Sequence, residues 1–188
     1  STANVRFGLP MNWAFQDAAS LELILSSSLV TSAVEPIAEG QAIGATMTVT
    51  LNKKLIASLP LVAGTNVPYE ITIPQDALTP TLNDGRHDLE LFLDAGRDCD
   101  VNNGLHQTTV MVSAASQFNL PYVEETPVVD LKQLPRPVFQ RDSVFPVDAL
   151  MVVPDQPSEQ EMRAALITAA SFGRLSDGNL PFSLLTSK

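Results

Sequence analysis

Asp98, Asp100 and Asn102 are the residues whose types and spacing come nearest to chemistry. They lie in a polar loop, 94–104, that reads Asp-Ala-Gly-Arg-Asp-Cys-Asp-Val-Asn-Asn-Gly. One-apart spacing can turn their oxygens toward a shared centre, as in loops that hold a hard cation such as calcium. The pattern then departs from the calcium loop. Glycine falls at 104 rather than 103, and Thr109 stands where a bidentate Glu would close the site. Two readings follow: a partial calcium site at Asp98, Asp100 and Asn102, or a polar loop whose side chains make local turns. Cys99 has an acid on each side, which disfavours its thiolate, so a structural cysteine is expected.

The other chemical groups give less. His87 and His106 are the only histidines, and no Gly-x-Ser-x-Gly elbow or His-Glu-x-x-His motif accompanies them. A glycosidase needs two carboxylates across one bond. Glu124-Glu125 follow the end of an expected strand. Glu159 and Glu161 open an expected helix, where they favour its dipole. Neither pair calls for catalysis. No glycine-rich phosphate loop follows the apolar run 147–153, where Pro154-Asp155-Gln156-Pro157-Ser158 stands instead. The expectation is no enzyme and no cofactor. Trp13, in a bend at 11–15, is the candidate platform for stacking on the C–H face of a sugar, against the alternative that a lone Trp is buried. Tyr69 falls on the apolar side of its strand and is expected in the core.

Composition narrows the partners. The chain has 188 residues, 45% of them hydrophobic, so it can bury a core. Its formal net charge of −10 disfavours nucleic acid, anionic glycans and anionic membranes, but does not penalise a neutral glycan or a protein. One cysteine allows no intrachain disulfide. No apolar run approaches the roughly 20 residues of a membrane span. The chain starts at Ser1 and reads as a processed or excised piece.

Elements that would position these residues are mostly strands. Met47, Val49 and Leu51 alternate with Thr48 and Thr50. Asn52-Lys53-Lys54 make a turn, and Leu55, Ala57 and Leu59 resume the apolar face, so 47–61 is a hairpin. Further strands are expected at 4–9, 20–26, 67–74, 86–94 and 107–115, with a helical turn at 74–78 and a turn at Asn83-Asp84-Gly85. Short strands between Gly, Pro and Asn turns argue for a β-sandwich or barrel. Beyond the proline-punctuated 134–146 the pattern changes. The run 147–153 reads as a strand buried on both faces. Ser158 with Glu161 makes a capping box, Met162, Ala165, Leu166 and Ala169 form one stripe, and Gly173 ends the helix. With a strand at 182–186 this is a β-α-β unit that looks cut short.

The order of these pieces resembles a known family. Leu134-Pro135-Arg136-Pro137-Val138-Phe139 follows the sandwich, Pro157-Ser158 opens the helix, and Ser171-Phe172-Gly173-Arg174-Leu175 ends it. Val49-x-Leu51-Asn52, Ser58-Leu59-Pro60-Leu61, and Cys99-Asp100 followed by His106 belong to the same set. Together they resemble the regulatory-subunit family of bacterial cellulose synthase. The family's Trp a few residues past the histidine has no counterpart in 108–112, so no glycan contact is carried over there.

The resemblance implies a mainly β chain: a jelly-roll, carbohydrate-binding-like sandwich at 1–133, a linker at 134–146, and the start of a flavodoxin-like domain at 147–188. It implies a non-catalytic accessory subunit outside the cytoplasmic membrane, partnered by the cellulose synthase catalytic subunit and guiding a neutral β-1,4-glucan. A membrane anchor would lie in a segment outside this chain. The family also carries a cyclic-di-GMP-binding label, which an acidic chain without an Arg cluster does not support. Rival readings are a sandwich for protein–protein assembly with no sugar site, and a sandwich-fold glycan hydrolase.

Overall fold

The computed structural model describes residues 1–30, 37–95, 107–127, 130–145 and 147–187. Strands hold 49% of the residues and helix 14%, which places the chain in the mainly β class. It divides into two compact units. One comprises Ser1–Arg6, Ala14–Thr81 and His87–Val123; the other comprises Phe7–Trp13, Leu82–Arg86 and Glu124–Lys188.

The strands in order are β1 (Thr2–Phe7), β2 (Trp13–Phe15), β3 (Ser20–Val30), β4 (Ala42–Leu51), β5 (Lys54–Val62), β6 (Gly64–Thr72), β7 (His87–Asp94), β8 (Gln107–Val112), β9 (Gln117–Asn119) and β10 (Tyr122–Glu124). One sheet runs β1-β7-β4-β5, and a second runs β6-β3-β8, with β9 also on β3. β2 and β10 pair as a two-stranded ribbon. β3 pairs β6, β8 and β9, and β4 pairs β5 and β7, all antiparallel; these pairings alone do not establish a jelly roll.

Alternation explains the core. Leu21, Leu23 and Leu25 of β3, Met47, Val49 and Leu51 of β4, Ile71 of β6, and Leu89 and Leu91 of β7 are all buried. A side-chain period of two puts each set on one face of its strand. Each buried Leu, Ile, Val or Met contributes about 2 kcal/mol.

The central hairpin forms where expected, closed by the pair Leu51↔Lys54. Asn52 and Lys53 take φ of 51° and 67°, the positive values a two-residue hairpin turn needs at both positions. One expectation fails there. Val49 pairs Ala57 but Thr50 pairs Leu55, so Ile56 is the extra residue of a bulge. The bulge swings Leu55 to the outer face, where it is 63% exposed.

Two other strands differ from the sequence reading. β3 runs on through the serines at 26–28; Ser27 is buried there, its hydroxyl donating to the Val62 carbonyl at 2.5 Å. The expected bend at 11–15 contains β2, and β9 and β10 were not expected as strands. At three residues each they are too short to show a period. The helical turn at 74–78 is present as a 3₁₀ turn, Gln75–Leu78.

In the second unit, β11 (Ala149–Pro154), α1 (Glu159–Leu175) and β12 (Phe182–Ser187) form the expected β-α-β, with the two strands parallel. The capping box is complete. The Ser158 backbone N–H donates to the Glu161 carboxylate at 2.7 Å, and the Glu161 N–H donates to the Ser158 hydroxyl at 3.3 Å. The Ser158 N–H, and its hydroxyl donating to the same carboxylate at 2.8 Å, hold the Glu161 carboxyl below its ordinary range.

Gly173 does not stop the helix, which continues to Leu175. The chain turns at Asp177 and Gly178, with φ of 53° and 77°, and the Gly178 N–H donates to the Gly173 carbonyl at 2.7 Å. The helix stripe of Met162, Ala165, Leu166 and Ala169 faces Met151, Phe182 and Leu184 across a small apolar gap.

The expectation that the first strand is buried on both faces is wrong. Leu150 and Val152, with Leu185 beside them on β12, are 60%, 56% and 52% exposed. A single helix covers only one face of a two-stranded sheet.

Candidate functional site

β3 builds an open polar groove on one face of its sheet. Its buried leucines turn Ser20, Glu22 and Ile24 to the opposite face. In register, Glu22 stands opposite Glu70 of β6 and opposite Gln117 of β9, while Ser20 stands opposite Asn119. Directly opposite residues share a face, with Cβ atoms about 5 Å apart. The Gln117 side-chain amide donates to a Glu22 carboxylate oxygen at 3.1 Å. These residues, with Pro68 and Phe118, line an open groove of about 700 Å³. It offers carboxylate acceptors, amide donors and acceptors, and a hydroxyl: the complement of a ligand rich in hydroxyls.

Sequence reasoning missed the Glu22–Glu70 pair. The two residues are 48 positions apart and meet only through strand register. Their signal was present in the polar phase of two alternating strands, but no periodicity tells which strands are neighbours.

A second polar cluster is buried in the same unit. Asn52 is 2% exposed and His87 3%. The Asn52 side-chain amide donates to the Ala77 carbonyl at 2.7 Å and to His87 Nδ1 at 2.9 Å, and its oxygen accepts the Asp88 N–H at 3.1 Å. The Ala77 carbonyl needs a donor and the Asp88 N–H needs an acceptor, which fixes the amide orientation. His87 Nδ1 is then an acceptor and the ring is neutral. Burial pushes the His87 pKa down from 6.5 to about 4. Phe15 packs against the ring at 6.3 Å between centroids. This cluster anchors the hairpin turn and presents no open face for a substrate.

The expected site residues fall as follows. Trp13 is half-buried in β2 and meets the Phe145 ring edge-on, with centroids 5.3 Å apart. It is not among the groove residues. Asp98, Asp100 and Asn102 lie outside the described residues, as do Cys99 and His106. Tyr69 is half-buried, and its hydroxyl, itself buried, has no hydrogen-bond partner among the described residues. Glu159 and Glu161 open α1, and Glu124 and Glu125 are exposed.

Residues 130–185 match the family model described as "Cellulose synthase BcsB, first FD domain". This segment is similar to the first FD domain of cellulose synthase BcsB. The match contains the Leu134–Phe139 motif, the capped start of α1 and the Ser171–Leu175 motif, and residues 1–129 lie outside it. No curated protein matches the chain. The BcsB family is an accessory subunit and not the catalytic one, associated with the cellulose synthase catalytic subunit. It is periplasmic and membrane-anchored. Among the described residues no helix is long and apolar enough to cross a membrane.

Proposed function

We propose that this chain is a non-catalytic, extracytoplasmic module of a cellulose synthase complex that holds or guides a neutral β-1,4-glucan. The observation that carries this reading is the BcsB family match at 130–185. The groove on the outer face of β6-β3-β9 supports the glucan contact. Glu22 and Glu70 accept hydrogen bonds from sugar hydroxyls, and the Gln117 and Asn119 amides both donate and accept. A neutral chain enters this surface without repulsion, whereas a net charge of −10 repels an anionic one. We assign Trp13 as a separate aromatic contact, through the part of its ring that remains exposed.

Calorimetric titration with cellohexaose tests the reading. Saturable binding that weakens in Glu70→Ala supports the groove, and weakening in Trp13→Phe supports the aromatic contact. No binding, here and in the intact full-length protein, removes the glucan from the account. Turnover of cellohexaose that disappears in Glu70→Gln would replace the accessory reading with a hydrolase that uses the Glu22–Glu70 pair.

A second reading has its own observation. Leu150, Val152 and Leu185 leave one face of the β11-β12 sheet bare, the kind of surface parallel sheets cover. On this reading the chain acts in assembly. It predicts self-association, or association with the catalytic subunit, that Val152→Thr weakens with glucan affinity unchanged.

A further inference from the structure

The second unit contains a concave site that the glucan reading does not use. A pocket of about 360 Å³ is lined by Lys132, Arg136 and Arg141, with Asp84 as its carboxylate and Leu134 and Phe139 among its apolar walls. The three cations lie within ten residues of sequence, and the fold turns them onto one concave surface. Lys132 sits in the 3₁₀ turn Leu131–Gln133, Arg136 in the turn after it, and Arg141 a few residues on.

Asp84 is already occupied. Both of its oxygens take hydrogen bonds from Arg86, one from the backbone N–H at 3.1 Å and one from the guanidinium at 2.8 Å. Burial opposes the charge on Asp84, but the Arg86 hydrogen bonds outweigh it and hold the carboxyl below its ordinary range. Arg86 also pairs with Asp142, and Arg141 with Asp177. Lys132 and Arg136 form no ion pair with any described residue. Two cations therefore line one pocket with its carboxylate neutralised, in a chain whose acids outnumber its bases 21 to 11.

Arg136 packs over the Gly85 backbone. Its guanidinium lies where a Cβ on Gly85 would be, and Gly85 takes φ 74°, a conformation glycine adopts without strain. Seating a planar fork against backbone reduces the entropy lost when it binds a ligand.

We propose that this pocket binds a small oxyanion, a phosphate or a carboxylate group, between Lys132 and the Arg136 guanidinium. The guanidinium fork matches two oxygens of such a group bidentately, and the ammonium supplies a further charge-assisted donor. Leu134 and Phe139 offer an apolar wall to whatever body carries the anion. The proposal is independent of the glucan reading, since a neutral glucan gives two cations no counter-charge.

The test is an NMR titration of the ¹⁵N-labelled chain with inorganic phosphate and, separately, with acetate, against sodium chloride at equal ionic strength. The expected result is a saturable shift at the backbone amides of 83–86 and 132–136 with one oxyanion and none with chloride. Arg136→Gln weakens that affinity about tenfold, a loss of about 1.4 kcal/mol. Lys132→Gln, at an exposed side chain, weakens it with the fold intact. Preference for phosphate assigns a phosphoryl ligand, and preference for acetate a carboxylate. A response that does not saturate, one that chloride reproduces, or unchanged affinity in both variants overturns the proposal.

Discussion

Asn52→Ala is the substitution that most sharply tests the physical account of the hairpin. Asn52 is buried, and its side chain satisfies three groups on other parts of the chain: the Ala77 carbonyl, His87 Nδ1 and the Asp88 N–H. Alanine leaves all three without the partner the amide supplied. An unsatisfied buried group costs about 1–3 kcal/mol, but neighbouring losses overlap, so about 3 kcal/mol is expected from the three. Asn52 also has φ 51°, where Ala is disfavoured relative to Asn by about 1 kcal/mol. The total is about 4 kcal/mol, or a fall of about 15 °C in Tm.

Asn52→Gly separates the two causes. It restores the backbone conformation and loses the same three hydrogen bonds, so it is expected to be about 1 kcal/mol less destabilised than Asn52→Ala. Urea unfolding followed by circular dichroism gives both values. A loss below about 1 kcal/mol in Asn52→Ala would refute the claim that this side chain anchors the turn.

His87 predicts a pH dependence. Its folded pKa of about 4 lies below the unfolded 6.5, so the unfolded chain binds the proton first as pH falls. Its contribution is complete above pH 6.5 and is lost between 6.5 and 4, by about 3 kcal/mol in all; urea midpoints of His87→Gln should show a shallower slope over that window. Ser158→Ala removes the N-cap of α1 and should cost about 1 kcal/mol of stability by thermal melting. Leu55→Thr should change stability by less than about 0.5 kcal/mol, because the bulge at Ile56 leaves Leu55 in solvent; a loss above about 2 kcal/mol would place it in the core after all.

Local chemistry made much of the fold legible. The hairpin turn declared itself through Asn52, the helix start through Ser158 and Glu161, and the core faces of β3, β4 and β7 through strict alternation. What the sequence hid depends on pairing. A bulge at Ile56 changes the face of Leu55 without any change in composition. The run 147–153 looked doubly buried because apolar residues on both faces state what a strand can cover, not what covers it. The helix end was misplaced because Gly173 and Gly178 carry the same signal, and only the backbone reveals which takes positive φ. The groove was invisible for the same reason, and the basic pocket was hidden only in part, since its three cations are close in sequence. Glu22 meets Glu70 through register, and Asp84 joins Lys132 and Arg136 only by the folding of the second unit.

The central claim is that a neutral glucan rests on the outer face of β3. The most direct measurement compares cellohexaose affinity in the wild type and in the double variant Glu22→Ala, Glu70→Ala. Removing two carboxylates from opposed positions relieves like-charge repulsion, so the fold should be as stable as before or slightly more so. The account predicts an affinity loss of at least about tenfold at unchanged or higher Tm. Equal affinity in the two proteins would contradict it.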